Sequence, residues 1–299
     1  MLSQTTPEVA QEATHGAHEA AQAGAASFDP GASIVGHILD SDRYEIVHGV
    51  GFDLPHLPTI QTAFGEIDFS ITKHVGMMWI AGLVVAFLAW RALRRVKDPV
   101  PSGMRNALEV VIVFIRDDVA RKSIGPGADR FVPYLVSTFF FILTCNLLGL
   151  IPGMATATGN ISVTAALALI AFVVIQAAGL REYGVIQHFK NLVPHGLPMW
   201  MVPLMFALEM LSMAIKPFAL CVRLFANMMA GHVVILAFIS LIFIFGELFS
   251  PTAAWLASPV SVGFALFVHF LELLVGSVQA YIFTMLTATF IGMSAHPAH

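Results

Sequence analysis

Charged residues are scarce in this sequence. Asp, Glu, Lys and Arg together make up 11% of its 299 residues, whereas soluble domains carry about 25%. Hydrophobic residues account for 57%, and the mean hydropathy is +0.79. This composition excludes an ordinary soluble domain and predicts a protein that crosses a membrane several times.

Cysteine is rare, and no targeting peptide is expected. Cys145 and Cys221 both lie in apolar segments, which argues against a disulfide framework and a zinc site. We therefore expect no metal and no cofactor. Residues 1–26 are rich in Ala, Glu, Gln and His and lack basic residues and an apolar core, unlike secretory or mitochondrial leaders. We expect a flexible tail there, and solvated histidines before residue 57.

Apolar runs divide the rest of the chain. Residues 27–73 form an exterior region before the membrane, with a short helix near Ile34 and weak strand signals around 64–71. Three runs, about 74–90, 131–151 and 161–180, have the length of an ordinary span. Residues 103–122 mix apolar and charged positions at helical spacing, which is typical of an amphipathic helix lying at the interface. A polar connector is expected over 187–198.

Two apolar stretches near the C-terminus, about 201–246 and 258–293, exceed the roughly 20 residues that cross a bilayer vertically. Pro217 and Gly231 interrupt the first, so each stretch is one tilted helix or two spans. Their few polar residues favour long tilted helices packed as a hairpin around Ser250. The expected fold is therefore an all-α polytopic membrane protein. It has three ordinary spans and an interfacial helix within 74–199, and the long hairpin within 200–299.

The distribution of basic residues predicts the orientation. Residues 1–73 contain two basic and ten acidic side chains, whereas residues 91–130 contain nine basic ones. Because cytoplasmic loops are enriched in Lys and Arg, the second region is expected inside the cell. The N-terminus is then exterior, and the C-terminus is cytoplasmic if each long stretch crosses once. The bacterial plasma (inner) membrane fits this pattern best.

A permanent charge lies within the first long apolar stretch. Arg223 follows Val222 and precedes Leu224, and its guanidinium stays protonated at any physiological pH. Placing it at bilayer depth costs from about 2.5 to more than 10 kcal/mol, depending on the method. A chain keeps such a charge where it has a task, usually on an ion path. A carboxylate on another subunit is the simplest partner, because the acids nearby in this chain are displaced along the helix.

Other polar residues lie on the same stripe. Glu209, Lys216 and Arg223 are spaced by seven and seven, which is nearly two helical turns each. Asn227 follows four residues later, so acid, base, arginine and amide lie along one edge over about 27 Å. Lys216 is interpreted as reaching the cytoplasmic interface, and Glu247 as an exterior helix end.

The last helix carries a second polar face. His269, Glu272 and Gln279 share a side with Gly276 and Phe283 by their spacing. His232 lies on another side of its helix than Arg223 and would face this neighbour. Glu272 and His232 are natural partners for a proton relay, since burial and mutual attraction decide their protonation. Gln279 can hydrogen-bond a guanidinium without neutralising it. A satisfied interhelical hydrogen bond is an equally common role for a lone intramembrane histidine.

The residues around Arg223 match a known family. The segment reads Lys216-Pro217, then Leu220-Cys221-Val222-Arg223-Leu224-Phe225-Ala226-Asn227-Met228-Met229-Ala230-Gly231-His232. It resembles subunit a of the F-type ATP synthase, in which an Arg-Leu-Phe-x-Asn-Met-x-x-Gly core carries the essential arginine. Glu272 through Phe283 looks like the family's last helix, and Asn146 through Pro152 is a weaker match. The resemblance covers about 74–295.

The resemblance implies a stator proton channel. Two offset half-channels would deliver protons to and from the carboxyls of a rotating c-ring, and Arg223 between them would prevent a direct leak. His232 and Glu272 would map to the exterior half-channel and Glu209 to the cytoplasmic one, while Asn227 and Gln279 would tune Arg223. ATP chemistry would reside on other subunits. The implied partners are the c-ring, b-type peripheral stalk subunits, the rest of the synthase and lipid, with no nucleic acid.

The chain also departs from the family. Its N-terminal extension of roughly 70 residues is long, and Gly149 stands where many members have a polar or acidic residue. Some bacterial members carry the acid and the imidazole of the relay pair in swapped positions. Two alternatives remain: a self-contained anion transporter with Arg223 as counter-ion, and a metalloenzyme using His232 and His269. The absence of an H-E-x-x-H motif argues against the second.

Overall fold

The structure is a computed structural model. It describes residues 43–47, 50–53, 60–62, 65–67, 72–93, 103–151, 154–190 and 198–295. The predicted tail over 1–26 and the short helix near Ile34 lie outside the described residues.

Among the described residues, five helices are long and apolar enough to cross a membrane. They are α1 (Lys73–Leu93), α4 (Val132–Gly149), α5 (Ile161–Lys190), α6 (Val202–Leu248) and α7 (Pro251–Ala295). Shorter helices between the first two are α2 (Met104–Phe114) and α3 (Arg121–Ile124), joined by a π-helical segment, Ile115–Ala120. The all-α polytopic fold predicted from the apolar runs is confirmed.

The C-terminal hairpin consists of two unbroken helices. Helix α6 has 47 residues and α7 has 45, so each is about 70 Å long at 1.5 Å per residue. That is more than twice the roughly 30 Å hydrocarbon core, so helices of this length cross it at a steep tilt. The turn between them lies at Phe249 and Ser250, where the sequence predicted it.

Neither Pro217 nor Gly231 divides α6, which agrees with the long helix favoured by the sequence. Pro217 lies inside the helix, where membrane proteins tolerate proline because neighbouring groups satisfy the freed carbonyl. Gly231 has a packing role instead. A Cβ at this position would lie 2.6 Å from Oε1 of Glu272, so the glycine admits the Glu272 side chain of α7 against the α6 backbone.

The third span ends close to where we predicted. We expected it to close at Arg181 and Glu182, and the helix kinks two residues later at Gly184, whose φ of +71° and ψ of 168° are not helical. A glycine adopts this conformation without strain. The kink divides α5 into two helical parts, and it lets His188 of the second part lie 3.0 Å from Gln176 of the first. The first four residues of the predicted connector, 187–190, belong to the second helical part.

The amphipathic segment packs on protein along one side. Ile115, Val119 and Ile124 are buried against α4, α5 and α7. Its exposed side carries ion pairs, including Arg121 to Asp117 at 2.8 Å. The hydrogen bond from Arg116 is the main cause that lowers the pKa of Asp117. Residues 115–124 thus have a buried apolar side and an exposed charged side, as the sequence predicted, whereas no residue of α2 is buried and Val110, Ile112 and Phe114 are exposed.

Helix α7 packs against α3, α4, α5 and α6. Its last turns join a cluster with α3 and α5 through Ala288 and Ile291. Its middle packs on α6 through Ala280, Phe283 and the facing Leu220 and Leu224. Two short antiparallel hairpins precede the membrane helices: β1 (Arg43–Val47) with β2 (Val50–Asp53), and β3 (Ile60–Thr62) with β4 (Gly65–Ile67).

Candidate functional site

Helices α6 and α7 bring one imidazole and one carboxyl together. Nδ1 of His232 lies 2.7 Å from Oε1 of Glu272. The Glu272 side chain is 4% exposed and that of His232 is 27% exposed. The other carboxyl oxygen, Oε2, is buried and has no hydrogen-bond partner among the described residues. Since two titratable groups share a short hydrogen bond away from bulk solvent, a proton can pass between them.

The far nitrogen of His232 contacts the connection between α4 and α5. Nε2 lies 2.8 Å from Oγ1 of Thr156 and 3.2 Å from the carbonyl oxygen of Gly149. A carbonyl only accepts, so Nε2 carries a hydrogen whenever it bonds to Gly149. A hydroxyl can donate or accept, so Thr156 bonds to Nε2 in either tautomer. His232 is therefore held from both sides, by an acid and by a hydroxyl.

Buried hydrogen bonds hold the connection between α4 and α5 in place. Nδ2 of Asn146 donates to the Gly276 carbonyl of α7 at 2.9 Å, and the Thr158 hydroxyl donates to Oδ1 of Asn146 at 2.8 Å. Both side chains are fully buried. Nδ1 of His74, at the start of α1, donates to the Thr156 carbonyl at 3.0 Å. Residues from α1, α4, α7 and the connection thus meet around His232.

Arg223 points away from this cluster. It is exposed in the isolated chain and makes no hydrogen bond or ion pair within the residues that the structure describes. Ala219, Ala226 and Ala230 are exposed as well, and their spacing places them with Arg223 on one stripe of α6. The guanidinium therefore projects from a strip of small side chains on an apolar helix face.

The remaining candidates are distributed along the hairpin. Gln279 is buried, and no hydrogen bond in the described part of the chain joins it to Arg223. Asn227 and His269 are half-buried, and His269 does not approach His232 through any described contact. Glu209 and Lys216 form an ion pair at 3.8 Å, and the Lys216 ammonium lies 5.5 Å from the centre of the Phe290 ring. Lys216 therefore contacts Glu209 and α7.

A second polar contact lies near the C-terminal ends of α5 and α7, away from His232. Nε2 of His188 donates to Oε1 of Gln176 at 3.0 Å. A Cβ at Gly179 would collide with the His188 ring and with Oγ of Ser294, so the glycine makes room for both. Among the described residues, no three His, Cys, Asp or Glu side chains are grouped as metal ligands are.

Sequence reasoning found both members of the pair but missed His74, Thr156 and Thr158. Helical spacing indicated which faces of α6 and α7 would carry His232 and Glu272. The short polar loop over 154–160 was the only available signal for the threonines, because their contacts depend on how the loop packs onto α6.

The chain is similar to a well-defined set of proteins. A family model described as ATP synthase A chain matches residues 75–292. An ATP synthase subunit a from Chloroherpeton thalassium is 45% identical over 269 residues, which cover 88% of this chain and 77% of the relative. An ATP synthase subunit a 2 from Prosthecochloris aestuarii is 44% identical over 304 residues, covering 100% and 90%. An ATP synthase subunit a from an Anaeromyxobacter species is 49% identical over 242 residues, covering 79% and 57%.

Proposed function

The chain belongs to the ATP synthase A chain family, and from this premise we propose how its own residues couple proton flow to rotation. Members of this family are non-catalytic, multi-pass subunits of the membrane-embedded Fo sector, and ATP chemistry takes place on other subunits. The proposed mechanism assigns His232 and Glu272 to the exterior half-channel and Glu209 to the cytoplasmic one. Arg223 is the barrier between them.

Arg223 is the residue on which the proposal rests. Its guanidinium is exposed on an apolar helix face among three alanines, where lipid alone would be a costly environment. Small side chains let another helix approach closely. A ring of c subunits, each presenting a membrane carboxyl, supplies both the helix and the counter-charge. Because a guanidinium never releases its proton, it attracts each deprotonated carboxylate but cannot carry protons past itself.

The His232 and Glu272 pair is proposed to serve the exterior half-channel. With the basic 91–130 segment in the cytoplasm, α4 runs outward, and the α4–α5 connection that contacts His232 lies toward the exterior. The imidazole exchanges a proton with Glu272 across 2.7 Å, and Glu272 passes it on toward the ring. The acid and imidazole stand in swapped positions relative to some bacterial relatives, which preserves the relay.

Glu209 is proposed to serve the cytoplasmic half-channel. It lies two turns before Lys216 and four turns before Arg223 on α6, toward the expected cytoplasmic end. Its carboxylate pairs with Lys216 at 3.8 Å, and the same ammonium lies near Phe290 of α7. Asn227 and Gln279 lie on the hairpin between the two proposed half-channels, and His269 lies one turn to the exterior side of Glu272 on α7, where it is proposed to line the exterior half-channel. Asn227 and Gln279 would adjust how strongly Arg223 holds a ring carboxylate.

The proposed setting is a bacterial inner membrane with an exterior N-terminus and a cytoplasmic C-terminus. The proposed partners are the c-ring and b-type peripheral stalk subunits. An independent anion transporter is less well supported, because a counter-ion for a substrate should face a cavity inside the chain. Arg223 faces outward instead.

Substituting Arg223 tests the proposal. In proteoliposomes containing the whole synthase, Arg223→Ala should abolish ATP-driven proton pumping, and Arg223→Lys should largely fail, because an ammonium cannot present a bidentate fork to a carboxylate. Arg181→Ala, which removes an exposed arginine from α5, should pump normally. Coupled pumping by an assembled Arg223→Ala enzyme would overturn the proposed mechanism. Anion uptake by the purified chain alone would favour the transporter.

A further inference from the structure

The Thr156 side chain occupies the space that a side chain on Gly149 would need. A Cβ built on Gly149 would collide with Oγ1 of Thr156 and lie 2.7 Å from its Cβ. Here the Thr156 side chain fills the volume that a residue at 149 would otherwise use, and its hydroxyl lies 2.8 Å from Nε2 of His232.

We propose that Thr156 is a proton-path residue, supplying from the α4–α5 connection the polar group that Gly149 lacks. The proposal rests on the function assigned above to His232 and Glu272 and adds the group that exchanges protons with His232 on its outer side. The species transferred is a single proton, which passes through the Thr156 hydroxyl.

The hydroxyl suits this role because His232 must change tautomer as it passes a proton. The Gly149 carbonyl can only accept, so alone it would favour the form with hydrogen on Nε2. The Thr156 hydroxyl donates to Nε2 in one tautomer and accepts from it in the other. Both forms of the imidazole therefore keep a hydrogen bond.

The transfer step is balanced. At the start, His232 carries hydrogen on Nδ1, Glu272 is ionised, and the Thr156 hydroxyl donates to Nε2. The hydroxyl proton moves to Nε2 while Oγ1 takes up one proton arriving from the exterior water. The Nδ1 proton moves to Oε1 of Glu272. One proton has entered, Glu272 is neutral, and Thr156 is again a hydroxyl. The reverse sequence carries a proton outward.

Two contacts hold Thr156 in place. His74 of α1 donates to its carbonyl at 3.0 Å, and Thr158, two residues later, bonds to Asn146 at 2.8 Å. All four side chains are buried. His74 bonds to the backbone, so it is a positioning residue and does not itself relay the proton.

The test uses the whole synthase in proteoliposomes and measures ATP synthesis driven by an imposed proton gradient. Thr156→Val keeps the shape and removes the hydroxyl, and should slow synthesis by roughly a hundredfold, the lower end of what a positioned proton-transfer group contributes. Thr156→Ser should retain most activity. Thr287→Val is the matched control, because this buried hydroxyl bonds only to the Phe283 carbonyl of its own helix.

A transplant of the hydroxyl gives the sharpest result. Gly149→Ser alone should fail because the new side chain collides with Thr156, and Thr156→Ala alone should fail because the hydroxyl is lost. The double variant Gly149→Ser/Thr156→Ala should recover much of the rate. Each variant is checked for assembly by the amount of c-ring that co-purifies.

The outcomes separate this inference from the function beneath it. If Thr156→Val or the Thr156→Ala single variant synthesises ATP at the normal rate while His232→Ala does not, the relay stands and the role of Thr156 is refuted. If His232→Ala and Arg223→Ala also leave coupled synthesis intact, the proposed function itself fails. If Thr156→Ser or the double variant stays as slow as Thr156→Val despite normal assembly, the hydroxyl does not carry the proton.

Discussion

Replacing Gly231 with alanine should disconnect His232 from Glu272 without removing either. The new Cβ would lie 2.6 Å from Oε1 and 2.7 Å from Cδ of Glu272, so the carboxyl must move. Overpacking a rigid neighbour costs about 1–3 kcal/mol, but Glu272 is flexible at its end and can swing away. The main loss is then its charge-assisted hydrogen bond to His232, about 1.5–3 kcal/mol. This loss lowers the population in which His232 and Glu272 are hydrogen-bonded by about ten- to a hundredfold, at 1.4 kcal/mol per tenfold.

The assay is ATP-driven acidification of proteoliposomes, normalised to co-purified c-ring. Gly231→Ala should reduce the initial rate by a factor in that range while ATP hydrolysis by the detached soluble sector is unchanged. Gly263→Ala on α7, the helix that carries Glu272, is the matched control, because a Cβ there would meet nothing within 4 Å. A normal pumping rate in an assembled Gly231→Ala enzyme would refute the reasoning, since the contact would then be dispensable.

Two further substitutions address the frame around the site. Asn146→Ala leaves the buried Thr158 hydroxyl without its acceptor, at about 1–3 kcal/mol, and it removes the side-chain hydrogen bond to the Gly276 carbonyl, which keeps its helical bond within α7. The purified Asn146→Ala complex should unfold at a lower temperature. Thr289→Ala, which removes an exposed hydroxyl, should not change Tm. Equal Tm values for the two variants would show that the Asn146 hydrogen bonds do not stabilise the fold. Gly292→Ala places a Cβ onto the Ser123 carbonyl oxygen and 3.2 Å from Cα of Ile124, so α7 must separate from α3. The yield of assembled complex should fall relative to Gly82→Ala, which meets nothing, and unchanged yield would show that this contact is adjustable.

Much of the fold follows from composition and length. The apolar runs located all five long helices, and the scarcity of polar residues correctly favoured an unbroken hairpin over four short spans. The charges of Arg181 and Glu182 also marked the end of the third span, because α5 kinks just beyond them at Gly184. The short helical part after the kink was not predicted. The Arg223 motif identified the family, and the match over 75–292 confirms it.

The site was only partly accessible from sequence. Helical periodicity places His232 and Glu272 on facing sides, because both lie in regular elements. Thr156 lies 76 residues from His232 along the chain, in a loop without periodicity, so no local pattern connects them. Gly149 read as a missing polar residue, and only the packing reveals that Thr156 takes its space. The functional roles of all these residues stay predictions.

The alanines beside Arg223 have a consequence for motion. A surface that slides past many identical partners must release each one as easily as it meets the next. Alanine has no side-chain rotamers to order on contact and release, and its methyl group offers no ridge that could interlock with a passing helix. A helix that moves past Arg223 would therefore meet little resistance from Ala219, Ala226 and Ala230. In the proposed mechanism the charge of Arg223 holds each ring subunit as it passes, while the alanines add little resistance. The friction of the rotor and the timing of its steps would then depend on separate residues.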